Sequence, residues 1–391
     1  MATLSIAPNP FTPRSGQEPK AFLDRDKPLA TFRARLAEAR RGSFGHFVVL
    51  GDWGTGKTTL LKEFKKVAQA ERILTSFVRV HEFDGGDLVA PVEHLLTLVP
   101  RTLPIKFDRL KKFSKYLDGV GITLPVVGGG FEIGQRKRFE GDPQALLHEG
   151  LLRLWQELKE QTDVVVVFLD DAQLYAEVRK FLGILRNVLS DDELIAKSGY
   201  LFVLAATEQG WTEFLGRNNP IGRYFSPPVR VGAFNRAKTR EIVDLTLRDS
   251  RVTFSPEVQN AVFEYTEGHP YQLQILCSYL YENQIRGRVG REQLDTALTQ
   301  TLEEMGPLVL QPLLQDASEN EGQVMKAICG IHYTFSFSDM QKAVRKAGIA
   351  VAHGPLATMA ARLTEKGLLV KVGRGQYRIA SRLLAEFVAR Q

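Results

Sequence analysis

Four short apolar runs interrupt an otherwise mixed chain. They are Phe47-Val48-Val49-Leu50 within 44–50, the stretch 73–80, Val164-Val165-Val166-Val167-Phe168-Leu169, and 200–206. Continuous runs of this length read as strands covered on both faces. Between them the spacing turns helical. Leu61, Phe64, Val67 and Ala68 share one face over 58–70, and 89–98 reads as a further helix. Strands alternating with helices predict an α/β fold around a parallel sheet.

From 231 to 301 the spacing stays helical. Ser255 with Pro256 opens one helix there, with Val258, Ala261, Val262 and Tyr265 on one face. The segment 306–317 has two prolines and few charges and reads as a linker. Beyond it, Val324, Ala327, Ile328 and Ile331 form one helical face. Ser338-Asp339-Met340-Gln341 reads as a capping box that opens a second helix, ending at Gly348. Gly354-Pro355 opens a third, with Leu356, Met359, Ala360 and Leu363 inward and Gly367 as its stop. Residues 368–372, a Gly373-Arg374-Gly375 turn and 376–380 make a hairpin. Three helices and a hairpin predict a winged helix-turn-helix, in which the third helix enters the major groove and the wing tip touches phosphate. Arg362 and Lys366 on the third helix, with Lys371, Arg374 and Arg378 on the wing, are the candidate DNA-binding residues. Such modules also dock proteins, and the third helix carries Thr358 and Thr364 as well as charge.

The most specific chemical signal is Gly51-Asp52-Trp53-Gly54-Thr55-Gly56-Lys57-Thr58, a G-x-x-x-x-G-K-T loop between a predicted strand and a predicted helix. Its glycines let successive N–H groups point inward at an anion, and the helix N-terminus adds its positive dipole end. Lys57 is expected on the β- and γ-phosphates, the Thr58 hydroxyl on Mg²⁺, and Thr59 nearer the α-phosphate. Asp170-Asp171 ends the valine-rich strand, where open α/β sheets bind ligands. Asp170 is expected to hold the metal through water and Asp171 to act as general base. A solvated strand end is the alternative for this pair. Thr207, after the 200–206 run, is placed to bond the attacking water or the γ-phosphate.

Taken together, these residues resemble the AAA+/STAND group of P-loop ATPases. The nearest likeness is to the origin-recognition-like branch, with its archaeal replication initiators and bacterial Orc-like ATPases. Further residues carry that resemblance. Asn9-Pro10-Phe11-Thr12-Pro13 followed by Phe22-Leu23-Asp24-Arg25-Asp26 is similar to the group's adenine-pocket box, usually hydrophobic-hydrophobic-Gly-Arg-Glu. Asp24 and Asp26 depart from it, so only Arg25 is carried over. Arg223 stands near the arginine that members present to a neighbouring subunit's γ-phosphate. Gly268-His269-Pro270 looks like the lid motif that packs on the nucleotide. Bland readings also fit: a surface arginine before Pro227-Pro228, and a helix-to-helix corner at Gly268.

The resemblance implies an ATP-binding and ATP-hydrolysing switch using ATP/ADP and Mg²⁺. The implied organisation is a core over 1–230, a helical lid over 231–305, the linker, and a winged helix over 318–391. It also implies possible homo-oligomers. The competing reading is a STAND-type regulator whose winged helix is autoinhibitory or docks a protein partner encoded by a neighbouring gene.

The chain has 391 residues, which predicts two or three domains. Its 44% hydrophobic and 25% charged content excludes a disordered or collagen-like chain. Two cysteines, Cys277 and Cys329, exclude a disulfide scaffold and fit a reducing cytoplasm. Seven histidines lie scattered, with no pair at metal-ligand spacing. The start lacks a signal-peptide pattern, and no stretch is long and apolar enough for a membrane span.

The net charge is +6, from 51 Lys and Arg against 45 Asp and Glu. That excess is unevenly spread. Residues 318–391 hold 11 basic and 5 acidic residues, and 101–140 hold 9 and 4, leaving an acidic remainder of 31 against 36. The 101–140 stretch reads as an insertion, because 113 positions separate Lys57 from Asp170. Its first part sets Phe107, Phe113 and Tyr116 among Lys106, Arg109, Lys111, Lys112 and Lys115. Its second part reads as a hairpin around Gly128–Gly130, ending in Arg136-Lys137-Arg138. Basic residues with interleaved aromatics suit a nucleic-acid backbone, and a solvated helix would look the same.

Overall fold

Five strands pair in parallel in the first half of the chain: β1 (Phe47–Leu50), β2 (Leu74–Arg79), β3 (Val165–Asp170), β4 (Tyr200–Ala206) and the short β5 (Val229–Arg230), in the order β2-β3-β4-β1-β5. The computed structural model describes residues 8–14, 17–83, 86–124, 139–178, 180–217, 221–284 and 287–390. Residues Arg25–Gly232 form one compact unit, and the described residues of 8–24 and 233–390 form another.

In the first unit the predicted strands appear within a residue or two of expectation. β3 and β4 are buried along their whole length, as continuous apolar runs require when helices cover both faces. The helices are α1 (Asp26–Ala39), α2 (Lys57–Ala70), α3 (Val89–Thr102), α4 (Phe107–Gly119), α5 (Pro143–Leu158), α6 (Phe181–Leu189), α7 (Asp192–Lys197) and α8 (Glu208–Arg217). Strand order places β4 between β1 and β3. The loop after β1, Asp170 at the end of β3 and Thr207 just after β4 therefore lie along one edge of the sheet, at the strand C-termini where such sheets bind ligands.

A buried histidine ties this sheet together. His46 is 6% exposed, and its Nδ1 accepts the Phe202 N–H at 3.1 Å, so the ring proton belongs on Nε2. Protonating Nδ1 would set N–H against N–H, and burial pushes the His46 pKa down from 6.5 to about 4. His94, bonded through Nδ1 to the Tyr175 hydroxyl at 3.1 Å, is also lowered to about 4 by burial. A depressed histidine pKa means the unfolded chain binds more protons than the folded one below the unperturbed value. The stability that neutral His46 and His94 contribute is therefore complete above pH 6.5 and is lost as pH falls toward 4. Melting temperature followed against pH should drop through that window, and His46→Gln should flatten the drop. An equally steep curve in the variant would exclude His46 as its source.

The insertion resolves into α4 and a second part at 125–138 that lies outside the described residues. In α4 two of the three aromatics, Phe113 and Tyr116, do not line up with the lysines. Phe113 and Leu117 are buried in the core and Tyr116 is half-buried, because their spacing puts them on the inward face of the helix. Arg109 turns to the Glu157 carbonyl at 2.8 Å and the Glu160 carboxylate at 2.6 Å. Phe107, 53% exposed, and Lys106, Lys111, Lys112 and Lys115 face solvent.

The second unit contains α9 (Arg236–Leu247), β6 (Val252–Phe254), α10 (Pro256–Thr266), α11 (Pro270–Glu282), β7 (Gly287–Val289) and α12 (Arg291–Met305), with β6 and β7 paired in parallel. Phe11 packs into its core, and Asn9 reaches the Ser278 hydroxyl at 2.8 Å. The segment expected to be a linker is helical instead. A π-helical turn, Gly306–Leu310, carries α12 into α13 (Gln311–Gln315). Gly306 and Leu310 are buried, and that packing offsets the poor helix propensity of the segment.

Then come α14 (Glu319–Cys329), β8 (Thr334–Ser336), α15 (Phe337–Lys346), α16 (His353–Glu365), β9 (Leu369–Gly373), β10 (Gln376–Ile379) and α17 (Arg382–Ala389). The hairpin β9–β10 has a third strand, β8, missed in the sequence, which makes an antiparallel sheet in the order β8-β10-β9. The capping box also moves. Ser336 caps α15 and Asp339 answers it, two residues before the expected Ser338. No helix among the described residues is long and apolar enough to cross a membrane.

Candidate active site

β1 leads directly into the glycine loop. A Cβ at Gly51 would collide with the Val231 carbonyl, so only glycine lets the loop leave the sheet this close to the residue that follows β5. Gly54 and Gly56 both take positive φ, 76° and 90°. The turn closes through Thr55, whose hydroxyl donates to the Asp52 carbonyl at 2.7 Å. Arg25, only 7% exposed, braces it from outside, donating to the Thr55 carbonyl at 3.3 Å and the Gly232 carbonyl at 3.1 Å. Arg25 thus meets the loop's backbone in this structure.

Helix α2 starts at Lys57 with no side-chain cap and no acid in its first turn. Its leading N–H groups and positive dipole end are therefore left for an anion. Thr58 and Thr59 sit in that first turn, both partly exposed. Lys57 is 8% exposed, and its ammonium donates to the Gly51 carbonyl at 2.9 Å and the Asp52 carbonyl at 3.0 Å. Burial lowers its pKa, opposed by the nearby carboxylates of Asp171, Asp170 and Asp52.

The carboxylates come from the end of β3. Asp170 is fully buried, and its Oδ2 accepts the Thr58 hydroxyl at 2.8 Å. Its Oδ1 is buried with no hydrogen-bond partner among the described residues. Burial raises the Asp170 pKa, and the Thr58 hydrogen bond works against that rise. A buried carboxylate oxygen left open beside a threonine hydroxyl is a donor set that fits a hard divalent cation such as Mg²⁺.

Asp171 follows in the left-handed region, φ 59° and ψ 37°, and starts a 3-10 helix, Ala172–Glu177. Thr207 follows β4, and its hydroxyl oxygen accepts the Gly210 N–H at 3.0 Å, so in this structure it caps α8. Two neighbours in this region escaped sequence reading. Gln173 donates to Asp171, and Gly210 packs against Gln173. The only available signals were a polar residue two places after the carboxylates and a glycine inside a helical stretch.

The structure brings Lys57, Thr58, Asp170, Asp171 and Thr207 to one sheet edge. Arg223 and the Gly268 motif belong to other segments of the chain. Arg223 ends a short 3-10 turn, Ile221–Arg223, and is exposed. Gly268-His269-Pro270 belongs to the second unit. Gly268 has φ 74°, its carbonyl accepts the Phe234 N–H at 2.9 Å, and a Cβ there would strike the Phe234 carbonyl. His269 and Pro270 are the N-cap and first residue of α11.

The five candidate DNA contacts divide into two groups. Arg362, Lys371 and Arg374 are exposed. Lys366 instead donates to Glu321 at 2.6 Å, a carboxylate that is 1% exposed and belongs to the capping box of α14. Arg378 reaches the Tyr333 hydroxyl at 2.9 Å, the Ala380 carbonyl at 3.1 Å and the Glu267 carboxylate at 3.4 Å. Both cations are thus held by internal partners rather than presented to a ligand.

Residues 21–203 match the sequence model of a family described as "AAA ATPase domain". No curated protein matches the sequence. Among solved structures, a Walker-type ATPase of Pyrococcus abyssi, paby2304, aligns at TM-score 0.60 and 17% identity, covering 96% of this chain and 98% of that one. The ORC2 protein of Aeropyrum pernix, solved as ADPNP–ADP complexes, aligns at TM-score 0.65 and 15% identity over 97% of this chain and 95% of its own. Its ADP form gives 0.53 at 15% identity. At these identities the alignments speak to fold. Residues 21–203 thus carry an AAA ATPase domain, in a chain with the parallel-sheet fold of the P-loop AAA+ ATPases.

Proposed function

We propose that this chain is a Mg²⁺-dependent, ATP-hydrolysing switch that binds DNA through residues 318–391. The observation that carries the hydrolytic half is the Thr58–Asp170 pair with Asp170 Oδ1 left open beside the buried Lys57 ammonium. Bound there, Mg²⁺ supplies charge neutralisation for the β- and γ-phosphates. Thr58 and Asp170 would hold it. The glycine loop and the uncapped start of α2 grip the phosphates by backbone N–H groups, and Lys57 adds a point charge. Asp171 takes the proton of the attacking water, and the Thr207 hydroxyl keeps its own hydrogen free to donate nearby.

For residues 318–391, the order helix, strand, helix, helix, strand, strand with a three-stranded antiparallel sheet supports a winged helix-turn-helix. Residues 231–305 serve as the helical lid in this reading, with Gly268-His269-Pro270 as its nucleotide motif. Arg223, exposed at the end of its turn, serves a neighbouring copy when subunits assemble.

On the DNA surface, Arg362, Lys371 and Arg374 are the working contacts. Three phosphate contacts predict that raising salt from 50 to 200 mM weakens binding about 40-fold. Fluorescence anisotropy of a labelled duplex with Mg²⁺ and ATP measures this. Arg362→Ala or Arg374→Ala should lower the slope of log affinity against log salt by roughly one. Lys366→Ala should leave that slope in place and lower the melting temperature, because it strips a buried carboxylate of its cation. No binding at 50 mM salt, with or without ATP, would overturn the DNA reading.

A further inference from the structure

We propose that Gln173 is a positioning residue for hydrolysis, holding the Asp171 carboxylate through its side-chain amide; this rests on the ATPase reading of the same site. Gln173 Nε2 donates to Asp171 Oδ1 at 3.4 Å. The bond is long, as catalytic hydrogen bonds often are before substrate arrives. Asp171 sits in a left-handed conformation that few residues other than glycine, asparagine and aspartate adopt, so its backbone alone aims the carboxylate only coarsely. A neighbour is needed to choose the rotamer.

Gln173 is itself held from behind. An added Cβ at Gly210 would lie 2.6 Å from the Gln173 Cβ and 2.8 Å from the Thr207 Oγ1. Only glycine lets the first turn of α8 press this closely on the Gln173 stem. The same turn is capped by Thr207, through the Gly210 N–H. Thr207, Gly210, Gln173 and Asp171 therefore form one chain of contact between the ends of β4 and β3. A shift at Thr207 reaches the Asp171 carboxylate through it.

The other end of the carboxamide argues against a merely structural role. Gln173 Oε1 is buried with no hydrogen-bond partner among the described residues. A buried acceptor left open is unfavourable to the fold, and an apolar side chain of the same shape would suit it better. What glutamine adds at this position is the N–H directed at Asp171.

Gln173→Met keeps length and volume but removes the donor, whereas Gln173→Lys restores a donor on an unbranched stem. The measurements are melting temperature, ADP affinity by calorimetry, and steady-state phosphate release. Gln173→Met should melt no lower than the parent and bind ADP within twofold. Its kcat should fall about tenfold with KM nearly constant, and Gln173→Lys should recover at least a third of the parental rate. Gly210→Ala, which displaces Gln173 without changing its chemistry, should lower kcat in the same way. Parental kcat in Gln173→Met overturns the proposal, as does a loss of kcat accompanied by an equal loss of ADP affinity. A parent that binds ADP but releases no phosphate overturns the ATPase reading, and this inference with it.

Discussion

Asp171→Asn will hold nucleotide and release almost no phosphate. Asparagine matches aspartate in size and tolerates the left-handed backbone that residue 171 adopts, so the turn into Ala172–Glu177 survives the change. The phosphate-binding parts, Lys57 and the start of α2, are untouched. What disappears, in the proposed mechanism, is the proton acceptor. General-base catalysis contributes typically about 10²–10⁴ in rate, equivalent to roughly 3–5.5 kcal/mol of barrier. Single-turnover phosphate release should fall by that factor, while ADP affinity measured by calorimetry stays within about threefold. Equal phosphate release from parent and variant would remove Asp171 from the role of base.

Lys57→Ala acts on binding as well as rate. The ammonium lies among Asp52, Asp170 and Asp171, and it is the cation that offsets them at the mouth of the loop. Without it a polyanion meets three carboxylates across a site with lowered water access. Truncating one partner of a desolvated charge pair costs about 2–5 kcal/mol. ATP and ADP affinity should accordingly weaken roughly 30- to 5,000-fold, and hydrolysis should fall below detection. Calorimetric titration with each nucleotide reads the first effect. Affinity within threefold of the parent would mean that the backbone N–H groups alone hold the phosphates. The two substitutions thus separate: one keeps the ligand and loses the chemistry, the other loses both.

The candidate site was readable because its requirements are local. A glycine loop, a lysine and a threonine must follow one another to shape one turn of backbone, and no distant residue can substitute for that order. The strand ahead of Asp170-Asp171 announced itself for a similar reason. A run buried on both faces cannot alternate, and four valines in succession have no other comfortable place. Cap residues such as Ser255 and stop glycines such as Gly348 and Gly367 fall where the helices begin or end, since an unsatisfied helix terminus is also a local problem.

The features that sequence reading misplaced depend on partners far along the chain. Lys366 looks like a groove-facing cation until Glu321, 45 positions earlier, is seen buried beneath it. Arg378 looks like a wing contact until Glu267, 111 positions away, and Tyr333 claim it. Phe113 and Tyr116 suggest a nucleic-acid contact until α4 is laid on the core. The 306–317 segment reads as a linker because proline and glycine disfavour helix, and packing of Gly306 and Leu310 outweighs that local preference. β8 is three residues long and exists only because β10 pairs with it.

The sequence by itself determined the parallel-sheet class, the phosphate loop and the two carboxylates, because order along the backbone dictates that geometry. Tertiary structure alone decided which cations are free and which are neutralised, that Asp170 keeps one oxygen open, and that Gln173 lies against Asp171. Charge, burial and hydrogen-bond saturation belong to a residue's surroundings, and those surroundings exist only after the chain has folded.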